Sequence, residues 1–450
     1  MYTFKKENSW RQHQSDFILR KRRKSFLRRS TKFALITGIF AVLVLTALRL
    51  DIQDLKLPWQ SDTPPATPVT TPLPTVAKLS KPDLKQLIRK TAFLNSDKDT
   101  FFVDTPSRSY AIRTRLDPRL QGYLAGTLSH LKTLTRGKPQ RIAMVALDGR
   151  TGFIRAMAGF DLADPDANPC TAPDYPAASI IKIVTAAAAV DALGYTAATP
   201  LYFNGNKYTL YKRQLTTKRN KYTSRVTLAR AFADSINPVF GKLGRFSLGR
   251  EKLNDYAHSF GFNQTPDMEI DLPPSRFAVT ESDYHLAELG CGFNRQTEIS
   301  PLFGAMMVTG ILNQGNILVP RMVDRVETAD KDLIYKSQKA VYKTPIHPNA
   351  AREMIRIMQK TVSSGTARKS FRGYSRDKVL STLTIGGKTG SLYNKQRTVK
   401  YDWFTGFGKE KSGNSSLVVT VVVGHRKYIG TRASTHARNM LKTYFTPGDK

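Results

Sequence analysis

Three short clusters of polar residues carry the side chains that acyl transfer needs, and none contains a histidine. The first is Ser179 with Lys182, at the start of an apolar run from Ile180 to Leu193. Such a run reads as a helix buried on all sides rather than along one face. Residues three apart share a helix face with Cβ atoms about 5–6 Å apart, so the Lys182 ammonium can reach the Ser179 hydroxyl. Burial disfavours the charged form of a lysine and lowers its pKa, which suits it to act as a base. Ser179 is then an activated nucleophile at a helix N-terminus, where free N–H groups and the helix dipole favour negative charge. Alone the pairing is weak. Ser375 and Lys378 repeat it in a polar, arginine-rich segment, and an N-cap serine before a snorkelling lysine has the same spacing.

The second cluster lies in Thr227 to Val239, which reads as a helix ending in a loop that carries Ser235 and Asn237. The third, Gly386-Gly387-Lys388-Thr389-Gly390-Ser391, puts a lysine and two hydroxyls on a strand end. Acyl transfer needs a nucleophile, a base, a proton relay to the leaving amine and donors for the oxyanion. Ser179, Lys182, Ser235 and Lys388 supply the first three roles between them. Asn237 can hydrogen-bond a substrate amide, and Thr389 and Ser391 can grip a carboxylate. Ser412-Gly413-Asn414 shows that serine-x-asparagine also arises by chance; the three clusters in this order are a stronger signal than any one.

The elements that must position these residues come from both ends of the domain. Arg141 to Leu147 and Phe153 to Ala158 read as strands joined by an Asp148-Gly149 turn. Leu383 to Lys388, Tyr401 to Phe407 and Leu417 to Val423 read as three more, and Ala433 to Phe445 as a terminal helix. A helical middle from Ser179 to about Lys360 separates the two strand groups. That pattern predicts an α+β fold with a largely antiparallel sheet rather than a doubly wound one.

The chain has 450 residues, 40% of them hydrophobic, and 70 Lys and Arg against 35 Asp and Glu, a net charge of +35. So basic a chain needs anionic surroundings. It carries no nucleic-acid motif, zinc spacing or phosphate-cradling glycine loop, which demotes nucleic acid as a partner. Cys170 and Cys291 are the only cysteines, without a histidine cluster for a metal. They are either two free thiols or one disulfide, which an extracytoplasmic location permits.

Residues 1–32 hold eleven Lys and Arg, and Phe33 to Leu48 follows without a charge. With flanking residues to 50 this predicts a single transmembrane anchor whose basic tail stays in the cytoplasm and contacts anionic lipid. A cleaved signal peptide is the alternative, but no small-x-small site follows Leu48. Residues 51–80 are a proline-rich, extended linker, and 81–110 a short juxtamembrane segment with a small helix, leaving 111–450 as the catalytic domain.

Together the motifs resemble the transpeptidase domain of the penicillin-binding proteins, whose serine-x-x-lysine, serine-x-asparagine and lysine-threonine-glycine motifs match these positions in order. Arg115 to Gln121, Ala146-Leu147-Asp148, Ile154 to Met157, Leu289-Gly290, Ile299 to Leu302, Asn313-Gln314-Gly315, Gly365-Thr366-Ala367 and Asp402 to Phe407 extend the likeness over about residues 111 to 425. Ser391 stands where many members have threonine, which keeps the hydroxyl. The resemblance implies a five-stranded antiparallel sheet flanked by helices, an all-helical subdomain and no cofactor or metal. It implies that Ser179 attacks the penultimate D-Ala carbonyl of a peptidoglycan stem peptide. Lys182 takes the serine proton, and Ser235 with Lys388 relays it to the leaving group. The N–H groups of Ser179 and Ser391 make the oxyanion hole. Thr389, Gly390 and Ser391 hold the terminal carboxylate, or that of a β-lactam.

The segment from Leu50 to Tyr110 is too short for a glycosyltransferase domain, so the expectation is a stand-alone transpeptidase in the bacterial inner membrane, with its catalytic domain extracytoplasmic. A separate membrane glycosyltransferase would be its partner. A D,D-carboxypeptidase differs only in letting water resolve the acyl-enzyme, and a β-lactam sensor or scaffold acylates without turnover. A β-lactamase would need a water-activating group, for which Glu251 in Glu251-Lys252-Leu253-Asn254 is the nearest candidate and has the wrong spacing.

Overall fold

The computed structural model describes residues 78–448 apart from Ser107. Its helix starts follow local capping chemistry. Ser80 accepts from the Asp83 N–H to open α1 (Lys81–Ile88). A hairpin of β1 (Thr100–Asp104) and β2 (Ser109–Thr114) follows. Asp117 caps α2 (Pro118–Thr133), whose first residue is a proline with no N–H to leave unpaired. After β3 (Arg141–Asp148) and β4 (Ile154–Asp161), one 3₁₀ turn, Ala178–Ile181, leads into α3 (Lys182–Leu193). The hairpin β5 (Pro200–Phe203) and β6 (Ser224–Thr227) precedes four helices: α4 (Leu228–Ala233), α5 (Asn237–Lys242), α6 (Gly249–Ser259) and α7 (Asp283–Cys291). Then come α8 (Pro301–Leu312), β7 (Val323–Thr328), β8 (Leu333–Lys336), α9 (Pro348–Ser363), β9 (Leu383–Tyr393), β10 (Lys400–Glu410), β11 (Ser416–His425) and α10 (Ala433–Phe445).

The central sheet has five strands in the order β9-β10-β11-β3-β4, every neighbour antiparallel. Its middle strand, β11, is buried along its whole length, which is why it reads as a near-continuous run of valines rather than an alternating one. Val419 and Val421 join the cluster under α2 and α10, with Leu120, Leu124 and Met440. Val418 and Val422 face the other way, into the cluster that holds α8 and α3. Strand β9 forms one edge of this sheet, and the turn carrying Ser179 packs against it.

This architecture bears out the antiparallel sheet flanked by helices, and it corrects four sequence readings. The boundary at residue 110 is not a structural one. Strands β1 and β2 join β7 and β8 in a four-stranded sheet, with β2 paired to β7, so the folded unit begins before α1. The middle of the chain is not purely helical, because the β5–β6 and β7–β8 hairpins interrupt it. Lys388 to Ser391 sit well inside an 11-residue strand rather than at a strand end, since the pairing to β10 continues to Tyr393. Finally, α3 is buried from Lys182 to Val190 only. Asp191 in its last turn accepts from the Tyr256 hydroxyl at 2.7 Å and the His347 N–H at 2.9 Å.

The basic tail, the anchor and nearly all of the proline-rich linker lie outside the described residues. Among the described residues no helix is long and apolar enough to cross a membrane.

Candidate active site

Ser179 occupies the 3₁₀ turn immediately before α3, and two tethers fix that turn, one to the sheet and one to the segment between α7 and α8. The Trp403 indole N–H donates to the Pro176 carbonyl at 3.1 Å, and its ring meets Tyr175 edge-on at 5.6 Å. The Ala177 N–H donates to the Thr297 carbonyl. Ala178 is held at φ 47°, a left-handed conformation that a residue with a Cβ adopts at some cost. The strain falls next to Ser179.

Lys182 is fully buried, and its three N–H groups match three oxygens. The Nζ atom lies 2.7 Å from Ser179 Oγ, 2.8 Å from Asn237 Oδ1 and 3.3 Å from Ser235 Oγ. Burial lowers its pKa to about 8, because the surroundings solvate the ammonium poorly and no carboxylate is among these partners. Lys388 is also fully buried. It donates to Ser235 Oγ at 3.0 Å and to the Thr389 carbonyl at 2.7 Å. Burial, then the neighbouring charge of Lys182, hold its pKa well below the usual lysine range. Ser235 therefore bridges two lysines that cannot both carry a proton cheaply.

The local turn explains how Ser235 reaches that bridge. Thr227 caps α4 through the Arg230 N–H, and the helix stops after Ala233. Ser235 then takes φ 58°, and Asn237 already begins α5. Sequence reading of one helix ending in a loop is thus corrected to two short helices around a tight turn. Asp234 steadies the turn, its carboxylate 2.9 Å from Arg230 and 3.5 Å from Lys207. The Asn237 N–H donates to the Lys207 carbonyl. Its side-chain amide donates to the Tyr208 carbonyl at 2.9 Å, which leaves its second N–H for a ligand.

Strand β9 supplies the opposite wall. A Cβ on Gly390 would lie 3.3 Å from the Ser179 backbone nitrogen and equally near the Ala178 and Ile180 side chains. Glycine lets the strand come this close to the Ser179 N–H, where a Cβ would force its neighbours to give by a few tenths of an ångström. The Thr389 hydroxyl meets that of Thr366 at 2.5 Å, and Ser391 is exposed beside them. Across the opening, a Cβ on Gly292, at φ 74°, would collide with the Ala178 carbonyl.

Ser179, Ser235, Asn237, Gly292, Thr366 and the residues Thr389 to Ser391 line one cleft of about 570 Å³. Sequence reasoning put Ser179, Ser235, Asn237, Thr389, Gly390 and Ser391 there and did not assign Tyr208, Lys369, Ser370, Lys400, Arg432 or Ser434 to the site. Their only signal was the Arg368-Lys369 charge pair; the others arrive from distant elements by folding. Asp402, inside a segment already singled out, is the carboxylate of the cleft wall. It accepts from the Ala433 N–H at 2.9 Å and lies 3.6 Å from Arg432. A larger hollow of about 830 Å³ beside α1 holds no serine–lysine pair, so chemistry rather than volume marks the site. Glu251 is exposed on α6 and is not among the residues lining the cleft. Cys170 and Cys291 are both free and buried; burial raises their thiols to about 12 and about 11.

Residues 142–442 match the family model of the penicillin binding protein transpeptidase domain. The chain belongs to this family. It is 22% identical over 367 residues to stage V sporulation protein D of Bacillus subtilis, covering 75% of this chain and 54% of that protein. It is 26% identical over 322 residues to the peptidoglycan D,D-transpeptidase PbpA of Mycolicibacterium smegmatis, covering 64% and 62%. The chain thus spans less than two thirds of the length of either relative. In fold it is similar to penicillin-binding protein A from M. tuberculosis, solved as an imipenem acyl-enzyme complex, with a TM-score of 0.60, 21% identity and coverage of 74% and 79%.

Proposed function

We propose that the chain is a serine D,D-transpeptidase that cross-links peptidoglycan stem peptides and is acylated by β-lactams. The observation that carries this reading is the hydrogen-bonded line from Ser179 through Lys182 and Ser235 to Lys388. Neutral Lys182 accepts the Ser179 proton as Oγ attacks the penultimate D-Ala carbonyl carbon. The new C–O bond produces a tetrahedral oxyanion between the N–H groups of Ser179 and Ser391. Collapse breaks the C–N bond. The proton travels from Lys182 through Ser235, whose hydroxyl Lys388 holds at 3.0 Å, to the departing D-Ala amine. Thr389 and Ser391 hold the D-Ala carboxylate, and Asn237 the peptide amide. The amine of a second stem then attacks the ester carbonyl, and its own proton passes through Lys182 to Ser179 Oγ as the ester C–O bond breaks, which forms the cross-link and frees the serine.

The lining of the cleft includes a single carboxylate. Its wall carboxylate, Asp402, is committed to the Ala433 N–H and Arg432, so it does not serve as a water-activating base. This argues for a long-lived β-lactam acyl-enzyme and against β-lactamase activity. The name of the PbpA relative supports the substrate, and the imipenem acyl-enzyme of the structural neighbour supports β-lactam acylation. The hydrophobic stretch at 33–50 after a basic tail supports a single-pass anchor with the domain outside the cytoplasm.

The test is incubation with a fluorescent penicillin beside Ser179→Ala, followed by a stem-peptide assay with and without an acceptor amine. Stable label absent from the variant, together with dimer formation, is the expected result. Release of D-Ala without any cross-linked product would overturn the transpeptidase reading in favour of a carboxypeptidase, and rapid loss of the label would overturn it in favour of a β-lactamase.

A further inference from the structure

No carboxylate occurs between Asp191 and Asp234, and the middle of that stretch, from β5 to β6, forms an ordered arm at the cleft. Gln214, 3% exposed, rivets it. Its amide donates to the Asn204 and Asn206 carbonyls at 3.0 and 2.9 Å. It accepts from the Tyr211 N–H and the Thr209 hydroxyl at 2.9 and 3.0 Å. Leu210 and Leu215 are buried in the main core, and the Tyr284 hydroxyl donates to the Leu210 carbonyl at 2.6 Å. Only polar and aromatic side chains remain outside. Tyr208, Tyr211 and Tyr222 are 54%, 52% and 74% exposed.

Among the described residues, Lys212, Arg213, Lys218, Arg219, Lys221 and Arg225 have no carboxylate at ion-pair distance, whereas the flanking Lys207 and Arg230 both pair with Asp234. Several of these free cations lie over tyrosine rings instead: Arg219 over Tyr202 at 3.6 Å, Lys221 over Tyr222 at 5.1 Å and Arg213 over Tyr211 at 5.3 Å. Stacking on a ring holds a cation without neutralising it. The arm therefore presents aromatic faces and unspent positive charge side by side.

From this we infer that the arm is an exosite for a carboxylate-bearing glycan, the peptidoglycan strand whose stems enter the cleft. Flat aromatic rings pack against the C–H faces of sugars, and guanidinium and ammonium groups pair with stem-peptide carboxylates. The arm reaches the chemistry directly, since the Lys207 and Tyr208 carbonyls accept from Asn237 and Tyr208 lines the cleft. A membrane surface fits less well: the exposed positions of residues 204–225 include no aliphatic side chain, and interfacial insertion needs an apolar face. The identity of the polymer rests on the transpeptidase reading; the charge and the rings do not.

The test is co-sedimentation of the full chain, in a Ser179→Ala background, with purified peptidoglycan sacculi at low and high salt. Binding is then read without acyl transfer, so failure of penicillin labelling and failure of this exosite are separate results. Lys218→Ala/Arg219→Ala/Lys221→Ala should weaken binding about ten-fold at low salt and flatten its salt dependence. Tyr211→Ala/Tyr222→Ala should weaken it at both salt concentrations. Lys90→Ala/Lys98→Ala/Lys427→Ala, which removes the same charge elsewhere, should leave it unchanged, with melting temperature and near-ultraviolet circular dichroism confirming the fold of each variant. Equal losses in the arm and control variants would reduce the effect to net charge and overturn the exosite. So would unchanged binding in the arm variants, or arm-dependent binding to phosphatidylglycerol vesicles without binding to sacculi.

Discussion

Lys388 Nζ lies 3.0 Å from Ser235 Oγ, and the same hydroxyl lies 3.3 Å from Lys182 Nζ. One serine thus joins two fully buried lysines, each with its pKa lowered by burial. Two ammonium ions in so dry a place repel one another, and the proton on one favours the neutral form of the other.

The acylation rate should follow the neutral fraction of Lys182. Its pKa is about 8, so the second-order rate with penicillin rises about ten-fold per pH unit below that value and levels above it. Asn237→Asp would set a carboxylate beside the ammonium, stabilise its charge and move the midpoint alkaline by about one pH unit. Stopped-flow acylation between pH 6 and 10 reads both. A flat profile, or an acid shift in the variant, would remove Lys182 as the proton acceptor.

Gly390→Ala should damage catalysis more than folding. The added methyl would press on the Ser179 nitrogen, the Ala178 Cβ and the Ile180 side chain, all at 3.3 Å. Moving the nucleophile by a fraction of an ångström is expected to slow acylation roughly 10- to 100-fold, while the cost in stability stays at about 1–3 kcal/mol. Acylation at the native rate would show that the strand does not need to come this close.

Two buried histidines should make the fold acid-sensitive. His425 and His436 have pKa values lowered to about 4, chiefly by burial, and neither Nε2 has a hydrogen-bond partner. Unfolded, each titrates near 6.5, so between 6.5 and about 4 the unfolded chain binds more protons. Stability therefore falls as pH drops through that window, by up to roughly 2–3 kcal/mol per ring. Thermal melts at pH 7 and pH 5 measure the slope, and His436→Leu should reduce it. An unchanged slope in that variant would mean that other groups set the acid sensitivity.

Cys170 and Cys291 should remain thiols after purification in air. Both are buried and unpaired, so a maleimide reagent is expected to label neither in the native protein and both in denaturant. A disulfide found by non-reducing mass spectrometry would contradict the separate sites they occupy.

Much of the catalytic constellation was legible in residue order. Ser179 and Lys182 are three apart, and a single helical turn is enough to bring them within 2.7 Å. The five strands were legible because their hydrophobic runs are long and bounded by turns, as in Leu417 to Val423. The β1–β2–β7–β8 sheet was not, since its pairing spans more than 200 residues and its strands alternate polar with apolar positions only loosely. The cleft residues Lys400, Arg432 and Ser434 were also hidden, because nothing local distinguishes them from solvated surface.

What the sequence determined alone is therefore the make-up of the candidate site: which polar side chains could act, in what order along the chain, and that an apolar helix must bury one lysine. Tertiary structure decided everything that depends on distance between remote segments. It brought Lys388 to Ser235 across 153 residues and closed β9 onto the Ser179 nitrogen. It also left six cations of the β5–β6 arm without a carboxylate partner among the described residues. Local spacing encodes contacts within a helical turn or a hairpin. Contacts across the core exist only once burial has forced distant elements together, and the pKa values of two lysines follow from that burial.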